Sequence, residues 1–121
     1  MAVEGRLLVA CLCAEWCGSC RDYRATFDAL AAQFAAVADF AWIDIEDESD
    51  ALGDPDIENF PTLLIADAGS LRFLGTVMPH AATAERLVRN ALEGALPPLA
   101  GPAAALADRV RSVVGSRGAT E

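Results

Sequence analysis

Cys17 and Cys20, within Trp16-Cys17-Gly18-Ser19-Cys20, have the types and spacing to exchange thiols with disulfides. They follow an apolar, strand-like run and open a helix-like run. This order puts Cys17 at a helix N-terminus, where unpaired backbone N–H groups and the helix dipole favour a negative charge. A stabilised thiolate makes Cys17 the nucleophile. Cys20, three residues on, lies about one turn away on the same face, in reach of a mixed disulfide formed by Cys17, and is the resolving thiol.

Two more cysteines stand close by, and all four fall between Cys11 and Cys20. So tight a cluster cannot staple a domain as dispersed disulfides do, so a reactive or metal role is expected. The metal alternative is a four-thiolate zinc module. It is disfavoured because Cys11 and Cys13 lie two apart on one strand face, whereas structural zinc sites present Cys-x(2–4)-Cys knuckles. The expectation is therefore no metal, with Cys13 as a small apolar core residue.

The elements around the cysteines follow from periodicity. Arg6 to Cys13 is almost continuously apolar, as a strand covered on both faces would be. From Gly18 to about Val37, apolar residues at Tyr23, Phe27, Leu30, Phe34 and Val37 make one helical stripe. Phe40 to Ile45 reads as a second strand, and strand, helix and strand in this order form a parallel crossover. The acids from Glu46 to Glu58 read as a solvated connection; no calcium loop can be placed on them with its glycine in position. Pro61 to Ile65 and Leu71 to Gly75 are two strands joined by a turn containing Gly69. Ala81 to Leu96 follows as a helix with Leu87, Val88, Ala91, Leu92 and Ala95 along its stripe.

Length and charge narrow the function. A chain of 121 residues is one domain with a real core, and 54% hydrophobic residues fit a folded protein. All nine basic residues are arginine and the net charge is -9, which disfavours nucleic acid and anionic membrane surfaces as partners. Leu8-Val9-Ala10-Cys11 looks like a bacterial lipoprotein processing site. The apolar run before Cys11 is, however, short of the roughly 7–15 residues of a leader segment. A buried strand in a cytoplasmic protein is the expectation.

Ala14-Glu15-Trp16-Cys17-Gly18-Ser19-Cys20, Ile43-Asp44-Ile45-Glu46, Asn59-Phe60-Pro61-Thr62-Leu63-Leu64 and Gly75 together resemble the thioredoxin family in order and spacing. The resemblance covers about Arg6 to Leu96 and implies an α/β thioredoxin-like fold with a mixed four-stranded sheet flanked by helices. It also implies a cis Phe60–Pro61 bond beside the cysteines, a rarity of about 5–6% among X–Pro bonds in general. By the same resemblance Trp16, Gly18, Ser19, Phe60, Pro61 and Gly75 bind the substrate chain. Protein disulfides are the substrates, a separate electron donor restores the dithiol, and no cofactor beyond the Cys17–Cys20 disulfide is needed.

Departures from the family pattern are equally specific. Only Met1 to Gly5 precede Arg6, so the family's opening strand and helix look absent, which would leave Phe40 to Ile45 at a sheet edge. Cys11 stands at the family's buried aspartate and Trp42 at its partner lysine, so Cys11 becomes the candidate modulator of proton transfer to and from Cys20. Ser19 replaces the proline between the cysteines and bears on the potential. A redox-weak binding or adaptor module is the alternative to an oxidoreductase. His80, the only histidine, is accounted for as a helix-entry residue.

Beyond a domain at 1–96, residues 97–121 form an extension. Leu96 to Pro102 breaks the helix and makes a stiff connection. Ala103 to Val114 is an amphipathic helix with Leu106, Val110, Val113 and Val114 on one face, Gly115 as its stop and a frayed tail after it. Too short to stand alone, it is expected to cover apolar surface in a monomer or across a dimer.

Overall fold

The computed structural model describes residues 7–14, 18–48, 61–67, 70–76, 81–99 and 101–119. Its elements in chain order are β1 (Leu7–Cys13), α1 (Gly18–Gln33), β2 (Ala38–Asp44), β3 (Thr62–Ala66), β4 (Leu71–Thr76), α2 (Ala81–Leu92) and α3 (Pro102–Ala119). The strands form one mixed sheet in the order β2-β1-β3-β4. β1 pairs parallel with β2 and antiparallel with β3, and β3 pairs antiparallel with β4. All seven residues of β1 are buried, which accounts for its unbroken apolar sequence: it lies inside the sheet with both faces covered.

Alternation along β1 sends its side chains into two separate cores. On one face Leu7, Val9, Cys11 and Cys13, with Leu63 and Ile65 of β3, meet Cys20, Tyr23, Phe27, Leu30 and Phe34 of the α1 segment and Ala84 and Val88 of α2. On the other, Leu8, Ala10 and Leu12 join Ala41, Ile43, Leu64, Ala66 and Leu71 against Leu106, Ala107, Val110 and Val113 of α3. The C-terminal helix is thus the second layer of this domain, packed on its own sheet.

The path to that second face is fixed by backbone chemistry. α2 ends at Leu92, four residues before the sequence expectation. Gly94 takes a left-handed φ of 76°, with its N–H donating to the Ala91 carbonyl at 3.2 Å and the Ala95 N–H to the Asn90 carbonyl at 2.9 Å. Ala95 is exposed as a result, and Leu92 is 41% exposed. The Leu99 N–H then donates to the Leu71 carbonyl at 2.8 Å, holding the chain to the edge of β4. Arg72 adds a bond from its guanidinium to the Leu96 carbonyl at 3.0 Å while pairing with Asp67 at 2.7 Å. Gly101, at φ 89°, turns the chain, and Pro102 starts α3 without wasting a donor.

Two further expectations shift at helix ends. α1 stops at Gln33, and the Val37 N–H donates to the Phe34 carbonyl in a turn, so Val37 is 45% exposed and the stripe ends at Phe34. α3 continues through Gly115 to Ala119, so Gly115 is not its stop and 115–119 is helix where a frayed tail was expected. Strand β2 lies at the sheet edge among the described residues, as expected from the sequence. The acid-rich stretch beyond Glu48 and His80 lie outside the described residues.

Candidate thiol–disulfide site

Three of the four thiols converge on the α1 face of β1. Cys11 and Cys13, two apart on the strand, point the same way and their Sγ atoms are 3.4 Å apart. Cys20 sits in the first turn of α1, and the helix stripe of Tyr23, Phe27, Leu30 and Phe34 continues back to it in steps of three and four. The phase of α1 therefore aims Cys20 at the sheet. Cys13 and Cys20 are paired as a disulfide, with Cα atoms 5.9 Å apart. Cys13 was expected to be plain core; it remains buried, at 1% exposure, but it is bonded to Cys20.

Cys11 is the free thiol of this trio and is fully buried. Loss of solvation pushes its pKa up from 9.0 to about 12, opposed by the Arg24 guanidinium. At neutral pH it is held as the thiol, so in the 3.4 Å contact Cys11 donates and Cys13 accepts. The Tyr23 hydroxyl, also buried, has no hydrogen-bond partner among the described residues. Burial, followed by repulsion from Cys11, pushes its pKa up to about 12.

Arg24 is a residue that the sequence reading missed. It lies one turn after Cys20 on α1, with its guanidinium 4.7 Å over the Trp42 ring and 3.4 Å from the Asp28 carboxylate. Trp42 pairs in register with Cys11, so the two positions where the family resemblance places a lysine and an aspartate are neighbours here. The cation comes from the helix, and the tryptophan holds it. The spacing of Cys20 and Arg24 at i and i+4 was the available signal.

Ala14, Cys20, Arg21, Arg24, Trp42, Asp44 and Asp47 line a cleft of about 480 Å³. At ~30 Å³ per molecule it has room for roughly sixteen waters, and the buried Cys20 forms part of its wall. One carboxylate oxygen of Asp44 accepts the Glu46 and Asp47 N–H groups at 2.8 and 3.2 Å, which closes the turn below the cleft.

The remaining sequence candidates divide. Gly18 is exposed at the start of α1, with no atom within 4 Å of where a Cβ would stand. Pro61 is fully buried just before β3, and the β1–β3 register of Leu12 with Thr62, continued by one residue, sets it opposite Cys13. Gly75 lies in β4 opposite Leu63, where an added Cβ would come 3.3 Å from the Phe73 ring. Trp16, Cys17 and Phe60, with the expected cis bond, lie outside the described residues, as does the Ser19 side chain. Among the described residues no group of three His, Cys, Asp or Glu side chains could hold a metal ion.

The family profile described as Thioredoxin matches residues 2–91, three-quarters of the chain. The chain belongs to the thioredoxin family. Among solved structures it is similar to Fasciola hepatica thioredoxin, at 25% identity and a TM-score of 0.61 over 71% of this chain and 82% of that one. Thioredoxin from Trypanosoma brucei brucei is similar at 23% identity and a TM-score of 0.63, covering 74% of this chain and 78% of its own. The germline-specific thioredoxin Deadhead of Drosophila melanogaster gives 17% and 0.64, over 73% and 83%. No curated protein matches by sequence. The mixed four-stranded sheet with flanking helices is the thioredoxin fold, with cysteines close together at the β1–α1 junction as in a thiol–disulfide oxidoreductase.

Proposed function

We propose that this thioredoxin-family domain is a protein disulfide oxidoreductase acting through Cys17 and Cys20, most simply in the reducing direction. The observation that carries the reading is Cys20: a cysteine at the first turn of α1, buried, on the edge of a solvent cleft and engaged in a disulfide. Its sulfur is within disulfide distance of a neighbouring cysteine, which supports a role in exchange. Cys17 precedes the first residue of α1 in the chain and is the thiol that the helix N-terminus would activate.

Cys17 thiolate attacks one sulfur of a substrate disulfide, forming a Cys17–substrate bond and releasing the other substrate sulfur as a thiolate. Cys20 then attacks the Cys17 sulfur, releasing the second substrate thiolate and leaving the Cys17–Cys20 disulfide. Its proton leaves to water in the cleft. Trp16, Gly18, Ser19, Phe60, Pro61 and Gly75 would hold the substrate chain, and a dithiol donor would return the protein to its reduced form. The exchange needs no cofactor. A reducing, cytoplasmic setting suits this direction.

Reduction of insulin with dithiothreitol as donor tests the reading. Wild type is expected to precipitate the insulin B chain well above the dithiothreitol background, and Cys17→Ser to fall to that background. Equal rates for the two proteins would reject the oxidoreductase and leave a binding module.

A further inference from the structure

Cys20 is bonded to a cysteine other than Cys17. The turn of α1 that carries it packs on β1 at Cys13, and the 5.9 Å between their Cα atoms lies in the range disulfides require. Neither Cys13 nor Cys20 exceeds 1% exposure, so no external thiol reaches that bond without first opening the site. Cys11 lies 3.4 Å from Cys13 and, as a thiol, donates to it. A donor at that distance stabilises negative charge on Cys13 as it becomes an attacking thiolate.

We propose that Cys13 is a third redox cysteine, which takes over Cys20 from the Cys17–Cys20 disulfide and stores the oxidised state inside the protein. This rests on the oxidoreductase reading above. Cys13 gives up its proton to solvent as the site opens and attacks the Cys20 sulfur. The Cys13–Cys20 bond forms, the Cys17–Cys20 bond breaks, and Cys17 departs as a thiolate. One disulfide is consumed and one is made, so no oxidant beyond the substrate is required. Cys17 immediately precedes Gly18, the first residue of α1, in the chain, and a thiolate stabilised by a helix N-terminus is a good leaving group, which favours this direction.

The consequence is a change of mode. With Cys20 withdrawn, Cys17 can still attack a disulfide, but the mixed disulfide it forms has no resolving thiol. The oxidised protein therefore captures substrates where the reduced protein turns them over, until a donor opens Cys13–Cys20.

The chain allows a direct test. All four cysteines fall in one tryptic peptide, Leu7 to Arg21, because no arginine or lysine lies between them. Glutamyl endopeptidase cuts after Glu15 and separates Cys11 and Cys13 from Cys17 and Cys20. The full-length protein, fully reduced and then given one equivalent of glutathione disulfide, is trapped with N-ethylmaleimide in denaturant, digested and weighed. The two fragments are expected to stay linked, with maleimide on Cys17 and Cys11. Separate fragments carrying a Cys17–Cys20 bond, or a link through Cys11, would overturn the proposal. Cys17→Ser is expected to form the Cys13–Cys20 bond at least tenfold more slowly, and an unchanged rate would overturn the transfer. Cys13→Ala, oxidised in the same way, is expected to leave Cys17 unlabelled; full labelling there would also overturn it. Insulin reduction, read separately, reports the oxidoreductase, so its loss with linked fragments points to that reading alone.

Discussion

The Cys11 sulfur lies 3.4 Å from the Cys13 sulfur, on one face of a strand sealed from solvent on both sides. A thiol in this place resists ionisation, and folding strengthens the resistance. Since its pKa rises from 9.0 to about 12 on folding, the unfolded chain loses this proton at a pH where the folded chain keeps it. The stabilisation is fully present below about pH 9 and is lost as the pH climbs towards about 12.

The protein carrying the Cys13–Cys20 bond should accordingly lose stability on alkaline titration, by on the order of a few kcal/mol in all for this thiol. Urea midpoints measured between pH 8 and pH 11 check this. Tyr23 contributes in the same direction, from 10.0 towards about 12. Cys11→Ala should flatten the slope without abolishing it; a slope identical to wild type would remove Cys11 from the account.

The same position bears on rate. A thiol held protonated is a poor proton acceptor for Cys20, so resolution should depend on water in the cleft and accelerate as the pH rises. Cys11→Asp introduces a carboxylate two strand positions from Cys13 and near the Arg24 charge that already favours an anion there. It should speed resolution of a preformed mixed disulfide near neutral pH by at least roughly tenfold, towards the ~10²–10⁴-fold typical of a well-positioned base. Stopped-flow rates with an unchanged pH profile would show that the position does not control proton transfer.

The strand and helix that carry the cysteines were legible because each has an unambiguous period. β1 is apolar at every position, and the stripe of α1 runs in steps of three and four. The pairing of Cys13 with Cys20 was harder to see. Counting the stripe from Tyr23 hides that Cys20 belongs to it, and only the stacking of α1 on the odd face of β1 shows which strand residues Cys20 meets. The amphipathic tail was equally plain, but the face it covers depends on Leu99 holding to Leu71 and on Gly101 turning the chain, contacts that no periodicity reports.

The tail helix should be indispensable to stability. Val110 is fully buried in the apolar layer between α3 and the sheet, so Val110→Asp would place a charge there. Thermal melts are expected to fall by well over 10 °C for Val110→Asp, since a loss of a few kcal/mol moves a domain of this size by ~3–6 °C for each kcal/mol. Truncation after Leu96 should remove the cooperative transition. A melt unchanged by either would mean that α3 does not hold the sheet.

The most direct measurement of the central claim is capture of the reaction intermediate. Cys20→Ser keeps the nucleophile and removes the thiol that would resolve it. Incubated with insulin and quenched with acid, it should accumulate a covalent adduct of one insulin molecule, both chains still joined, per domain. Reductant should release the adduct, and its linkage should map to Cys17. Wild type should show only a trace of it, and the double variant Cys17→Ser/Cys20→Ser none. An adduct linked through Cys11 or Cys13, or no adduct at all, would contradict the assignment of Cys17 as nucleophile and Cys20 as resolving thiol.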